Sequence, residues 1–458
     1  MSASTTASQP IPVSVIGFGN SARTFHLPFI LSLPDRFTLH SIQQRPRTSA
    51  SSSSSPNAST LFPDVTVLPD LDAVLASLPK DGLIIITTTN ETHFPFAKRA
   101  LEAGFNVLVE KPVATNPSDV QELIRLQSET GKVCAVFQNR RFDGDFLTIQ
   151  KLLSAPVQGA HPSESAIGLP TYFESRFDRF RPIAKGGWRE EVDPESQGGG
   201  MLWDLGSHLI DQALYLFGPP TSVTGFVRNQ RNQGPQAVDD DWLVYLSYPD
   251  SSPLPPTSVA AGTRLGGLRV SLGATCLSTH VDSEQPRFRV EGTRGSYEKR
   301  GTDPQENQLK AGWSPKSHGQ LFGSYDEAKD PSSIRFGRLT TTVVEPESST
   351  PNEQVVLANQ PASSTTPAAA AAAPKQPQLE VADIPTLPGR YIDLFINVAD
   401  AIQIGREVVA KGGSIEQRSN EIQKVLKVGV ERVLNVVKLI GLARKSSKEG
   451  RTVKWDEV

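Results

Sequence analysis

Cysteine is nearly absent from this 458-residue chain, which has only Cys134 and Cys276. Two cysteines cannot build a disulfide framework or a cysteine metal site, and they fit a reducing compartment. Charge of one sign is also missing: Lys and Arg total 46, Asp and Glu 49, a net charge of −3. That balance excludes broad electrostatic binding to nucleic acid or anionic membrane. No apolar run approaches the ~20 residues of a membrane helix. The opening MSASTTASQP has neither the basic start and apolar stretch of a secretory signal nor the arginines of a mitochondrial presequence. The seven histidines are scattered without H-x-x-x-H, and C-x-x-C is absent, so no metal site is expected. G-x-S-x-G and P-loop patterns are missing too. These absences point to a cytoplasmic protein with no nucleic-acid or membrane partner.

Hydrophobic residues make up 37% and charged residues 21%, while Gly and Pro number 35 and 36. Part of the chain is therefore expected not to pack. Residues 1–10 read as a polar tail. The run 48–60 is Ser-rich, and 340–380 is rich in Ser, Thr, Pro and Ala, so both read as disordered insertions. Between them, apolar strand patterns at 11–16, 37–42, 82–87, 106–109 and 133–137 alternate with helix patterns at 21–33, 71–78, 94–103 and 118–129. Glycines close two of these helices, as C-terminal chemistry favours. Such alternation implies a parallel sheet covered on both faces. Beyond residue 150 the strands lengthen, at 171–177, 221–228, 241–247, 268–274 and 287–291, around a helix pattern at 201–217. That reads as a mostly antiparallel sheet. Helices at 387–405 and 419–443 and a strand at 452–455 follow.

The first strand runs into G-F-G-N-S-A, with Gly17, Gly19 and Ala22 in G-x-G-x-x-G/A spacing. The first glycine permits the turn, the second lets backbone approach a pyrophosphate, and the third small residue lets helix and strand pack. Asn20 lies in the same turn, and the helix start would supply N–H donors to phosphate. The second strand ends in H-S-I-Q-Q-R-P-R without an acid for the adenosine ribose. Arg45 and Arg47 suit a 2′-phosphate, so NADP is favoured over NAD; equally, they could solvate the entrance to the Ser-rich insertion.

Two further motifs follow: E-K-P at 110–112 after the fourth of these strands, and G-G-G-M-L-W-D-L-G-S-H-L-I-D-Q at 198–212. With G-F-G-N-S-A they resemble the Gfo/Idh/MocA oxidoreductases over most of 11–300 and again over about 386–455. The stretches F-H-L-P (25–28), Q-N-R-R-F-D-G-D-F (138–146), F-D-R-F-R-P (177–182) and W-R-E (188–190) resemble the NADP-dependent scyllo-inositol dehydrogenase branch. The resemblance implies an α/β fold: a Rossmann dinucleotide-binding domain at 11–138, then an α/β domain at 139–458 with a large open, mostly antiparallel sheet for substrate binding and oligomerisation. It implies a homodimer or homotetramer.

Asp204 and His208 are four apart in a helix pattern and share one face. Lys111 follows a strand at the sheet edge where open α/β proteins bind ligands. By resemblance, His208 is the general base for a carbinol, Asp204 bonds substrate hydroxyls, and Lys111 bonds the reacting oxygen and the nicotinamide ribose. Lysine charge would steady a developing alkoxide. Thr88, Thr89, Asn90 and His93 match the family's cofactor loop, and Asn90 or Thr92 could also cap the next helix. Glu110 and Asn139 are further cofactor candidates. Arg141 could face the nicotinamide. Trp188 and Arg189 could wall the substrate pocket or form a surface turn. Asp211 could orient the His208 ring or serve structure alone. The expected activity is hydride transfer between NADP(H) and a polyol, cyclitol or sugar carbinol. A catalytically silent NADP-binding regulator, or a reductase of dihydrodiol or diketone substrates, is the alternative.

Overall fold

The computed structural model describes residues 9–46, 56–154, 165–249, 267–343 and 378–457. Residues 1–8 of the tail, Arg47, residues 48–55 and residues 344–377 of the insertions lie outside the described residues.

Six short strands form the first sheet: β1 (Ile11–Ile16), β2 (Phe37–Gln43), β3 (Thr66–Leu68), β4 (Leu83–Ile86), β5 (Asn106–Val109) and β6 (Cys134–Val136). All pairs are parallel, in the order β3-β2-β1-β4-β5-β6. Strands such as β4, Leu-Ile-Ile-Ile, are buried throughout because helices cover both faces. Cys134 is a small core residue here. Strand order reverses at the β1–β4 boundary, which opens a crevice at the carboxyl ends of these strands. β3 was not anticipated; its three residues carry too little apolar pattern. The Ser-rich reading needs trimming at its end. Asn57 caps a short helix, Ala58–Leu61, and Ala58 is buried.

The second sheet has nine strands: β7 (Pro170–Arg176), β8 (Ser222–Arg228), β9 (Asp241–Ser247), β10 (Arg269–Thr275), β11 (Pro286–Gly292), β12 (Gly295–Arg300), β13 (Phe336–Thr342), β14 (Leu379–Pro385) and β15 (Val453–Lys454). Their order is β14-β13-β12-β11-β7-β10-β9-β8-β15. Only β7 and β10 run parallel; every other pair is antiparallel. The edges of the 340–380 reading are corrected. β13 extends to Thr342, β14 begins at Leu379, and those two residues pair.

The pattern at 419–443 resolves into two helices, Ile415–Val425 and Val430–Glu449. The break is drawn toward β6, where Val136 N–H donates to the Val428 carbonyl and Lys427 N–H donates to Asn397 Oδ1. Chain order and layer do not coincide. Helix Tyr391–Ala410 belongs to the core of the first sheet, with Phe395 stacked on Phe29 at 5.0 Å. The following Val430–Glu449 packs across β8, with Ala443 against Gly225. A Cβ at Gly225 would meet the Ala443 carbonyl, and backbone cannot yield as a side chain can. Gly225→Ala is expected to destabilise the fold by about 1–3 kcal/mol, read as a lower denaturant midpoint with an unchanged m-value.

Candidate active site

The turn after β1 is held open from both sides. Gly17 has φ +88°, a left-handed conformation that favours glycine, and a Cβ there would press on Thr87 and Thr88. Thr87 Oγ1 donates to the Ile16 and Gly17 carbonyls at 3.0 and 2.8 Å, and Gly17 N–H donates to Gln43 Oε1 at 3.2 Å. A Cβ at Gly19 would meet nothing within 4 Å, so backbone there faces open space. Ala22 is fully buried against the sheet. The helix opens as a π turn, Ala22–His26, because Leu27 N–H reaches the Ala22 carbonyl and Pro28 has no N–H to give. Asn20 is exposed and accepts from Thr24 Oγ1. These residues fit a dinucleotide pyrophosphate: a backbone cradle with nothing in front of it, at a helix start. At the ribose end the run 40–47 carries no acid. Gln44 is occupied by Pro56 and Ala58, and Arg45 is exposed.

Across the crevice, Lys111 Nζ donates to Asp204 Oδ1 at 2.9 Å and to the Asp204 carbonyl at 2.8 Å. Arg189 Nε lies 3.2 Å from the same Oδ1. Burial would raise the Asp204 carboxyl, but Lys111 and Arg189 hold it well below the usual carboxylate range. Asp204 sits in a π turn, Leu202–Gly206, that runs into helix Ser207–Phe217. Asp239 fixes this start: its Oδ2 accepts from Leu202 N–H at 2.6 Å while Arg444 holds Oδ1 at 2.8 Å. A Cβ at Gly200, whose φ is +89°, would collide with that carboxylate. His208 is 6% exposed, and its Nδ1 is enclosed without a partner. Burial, then the Lys111 and Arg140 charges, pushes its pKa well below the ordinary histidine value. The ring is neutral at pH 7.

Other expected residues have partners within the protein. Glu110 is engaged from three sides. It accepts from Ser21 Oγ, from His26 Nε2 at 2.9 Å and from Lys111 N–H at 3.2 Å. Burial would raise its pKa, but the His26 and Ser21 hydrogen bonds and the His26 and Lys111 charges bring it to about 2. The carboxylate therefore ties the glycine-turn helix to the lysine loop. Asn90 lies inside helix Asn90–Glu102, and its amide donates to the Gln197 and Gly198 carbonyls at 3.3 and 3.2 Å, joining the two domains. His93 is wedged between the Pro112 carbonyl at 2.7 Å and the Thr88 carbonyl at 3.0 Å. Neither Asn90 nor Thr92 caps the helix. Thr89 occupies the cap without a side-chain bond, exposed and paired with Glu91. The Thr88 hydroxyl accepts from Thr92. Asn139 is buried in the turn after β6. Trp188 begins a short helix, Trp188–Glu191, and its side chain lies outside the described residues.

Arg141 does not face the crevice. It forms a buried two-pronged pair with Asp211, at 2.6 and 2.5 Å, and donates to the Lys427 carbonyl. Asp211 is thereby structural and does not orient His208. Sequence reasoning missed Gln43, His26, Asp239 and Arg179 as site-forming residues. His26 and Arg179 stand inside the quoted F-H-L-P and F-D-R-F-R-P stretches; Asp239 carries no local signal. Arg141→Leu would strand Asp211 in the core and is expected to cost about 3–5 kcal/mol, read by chemical unfolding. Replacing both partners with apolar residues is expected to cost less.

Family models match both halves of the chain. The oxidoreductase family with an NAD-binding Rossmann fold matches residues 11–138, and the GFO/IDH/MocA C-terminal domain matches 163–298. The oxidoreductase YdgJ of Escherichia coli is 40% identical over 306 residues, 67% of this chain and 75% of that protein. The Bacillus subtilis protein named scyllo-inositol 2-dehydrogenase (NADP+) IolW is 27% identical over 97% of this chain and 95% of its own. Another B. subtilis relative, named for NAD+, is 30% identical over 175 residues, 37% of this chain and 45% of its own, so both dinucleotides are named among the relatives. The solved structure of the oxidoreductase YvaA from B. subtilis superposes with a TM-score of 0.70 at 25% identity, covering 97% of this chain and 98% of that one. On the family models matched over both halves and the relative 40% identical over two thirds of its length, the chain belongs to the Gfo/Idh/MocA family of oxidoreductases.

Proposed function

We propose that this protein is an NADP(H)-dependent dehydrogenase acting on a carbinol of a polyol, cyclitol or sugar. One observation carries the reading: the Lys111 ammonium lies 2.9 Å from Asp204, and His208, four residues further along the same segment, is buried and feels the Lys111 charge. The bound nicotinamide would take or give the hydride. Lys111 offers its ammonium to the reacting oxygen and steadies negative charge as it develops there. Asp204 keeps that ammonium charged and aimed, and its remaining oxygen can accept from a substrate hydroxyl. His208 takes the hydroxyl proton at Nε2, because Nδ1 is enclosed. As the C–H hydride leaves, the carbon–oxygen double bond forms; reduction runs the same steps in reverse. Arg45, in a run 40–47 that carries no acid, favours the 2′-phosphate dinucleotide, in keeping with the name of the NADP+ relative. The protein works in the cytoplasm as a homodimer or homotetramer. The outward sheet face supports that assembly, because it leaves Phe226 54% and Tyr245 43% exposed.

The direct test is nicotinamide absorbance with NADP+ or NAD+ against inositols, hexoses, pentoses and linear polyols. Turnover with NADP+ is expected; silence with both dinucleotides, in protein that binds NADPH, would sink the reading. Lys111→Met and His208→Ala are each expected to lower kcat by about 10²-fold or more while leaving NADPH binding nearly unchanged. Arg45→Ala is expected to raise KM for NADP+ about tenfold or more, through a lost charge-assisted bond, and to spare NAD+. The pH profile follows from His208. A base works above its pKa, and this one is lowered, so the acid limb of kcat/KM for oxidation should lie below pH 6.5. A limb above that value would contradict a buried, neutral base.

A further inference from the structure

The cleft that continues from Asp204 is about 300 Å³, at the small end of ligand pockets, and both cations and carboxylates line it. Its carboxylates are already engaged. Asp204 holds Lys111 and Arg189. Glu190 and Asp240 hold Arg231 at 3.0 and 2.7 Å, and Asp239 holds Arg444. Three cations in the cleft remain: Arg179, Arg181 and Lys185. Among the described residues, none of the three has a carboxylate within 4 Å.

The backbone explains why. Beyond β7 the chain stays extended beside β10 and the residues after it. Arg179 N–H donates to the Thr275 carbonyl and Arg181 N–H to the Cys276 carbonyl. The period of two puts Arg179 and Arg181 on one side. The acid between them, Asp178, is held by Arg176 at 2.9 and 3.0 Å and by Thr275 N–H. Arg179 Nε is buried without a partner. Burial, reinforced by Arg181 and only partly offset by the Asp204 and Glu306 charges, presses its pKa down, yet a guanidinium does not give up its proton in a protein. A half-buried guanidinium with no carboxylate in direct contact is costly. A neutral polyol would add no counter-charge to it.

We propose that the substrate carries an anionic oxygen group, a phosphate or a carboxylate, seated on Arg179, Arg181 and Lys185 while its carbinol lies at Lys111 and Asp204. This deepens the dehydrogenase reading and rests on it for the carbinol's position. The substrate class becomes sugar or cyclitol phosphates, or sugar acids.

Two measurements on the full-length, NADPH-saturated protein test this. The first is the melting shift produced by inorganic phosphate or acetate at constant ionic strength. Either anion is expected to raise Tm, and Arg179→Gln combined with Arg181→Gln is expected to abolish the rise while NADPH binding, the control for folding, persists. The second is equilibrium binding of D-glucose, D-glucuronate and D-glucose 6-phosphate. An anionic sugar is expected to bind about tenfold or more tighter than glucose, through charge-assisted hydrogen bonds. The double variant should lose that margin. Preference for phosphate identifies a phosphorylated substrate, and preference for glucuronate a sugar acid. No anion shift, or a shift the double variant retains, overturns the proposal. Dinucleotide-linked turnover is read separately. Its absence on every sugar, with the anion shift intact and lost in the double variant, would sink the dehydrogenase reading and leave the anion site standing.

Discussion

The bond between Lys111 and Asp204 is the constraint on which this site depends. The lysine leaves the end of β5, in the sheet that holds the glycine turn. The aspartate comes from the π turn that leads into helix Ser207–Phe217 of the second domain. Their side chains are 12% and 29% exposed, so the attraction acts with limited screening. Each partner is braced from its own side: Glu110 grips the lysine loop, and Asp239 grips the start of the aspartate's helix. Asn90 adds a neutral tie across the same boundary. The crevice is therefore fixed in width by bonds that cross it.

Charge pairing then sorts the polar residues by task. Arg141, Asp211 and Glu110 are satisfied within the protein and hold shape. Arg189 is shared with Asp204 at the rim. His208 has burial and cationic neighbours, which keep it neutral and able to accept a proton. The same sorting, carried along the cleft, leaves Arg179, Arg181 and Lys185 with no carboxylate within 4 Å among the described residues. A residue's chemical type sets what it could do, and its partners set what it is free to do.

That distinction explains what could be read from sequence. Strands of buried β-branched residues, the glycine turn and the Lys-Pro and Asp-x-x-x-His spacings are local signals, and the structure brings Lys111, Asp204 and Arg189 together. β12, Gly-Ser-Tyr-Glu-Lys-Arg, carries little apolar pattern, and β13 and β14 flank the low-complexity stretch. The helix break at 426–429 depends on β6, some 290 residues earlier in the chain. The hydrogen bonds of Asn90, His93 and Glu110 run to backbone and side chains that only the folded chain brings within reach. Arg179 shows the reverse case: its signal is a missing partner, which no linear reading contains.

The central claim is that Lys111 and Asp204 act as one unit in hydride transfer. A double-mutant cycle on NADP-linked turnover tests it most directly, using Lys111→Met, Asp204→Asn and the double variant. If the two act together, the double variant will be about as slow as the slower single variant, because the second change removes an interaction already lost. If the two losses multiply, the residues act independently and the account fails.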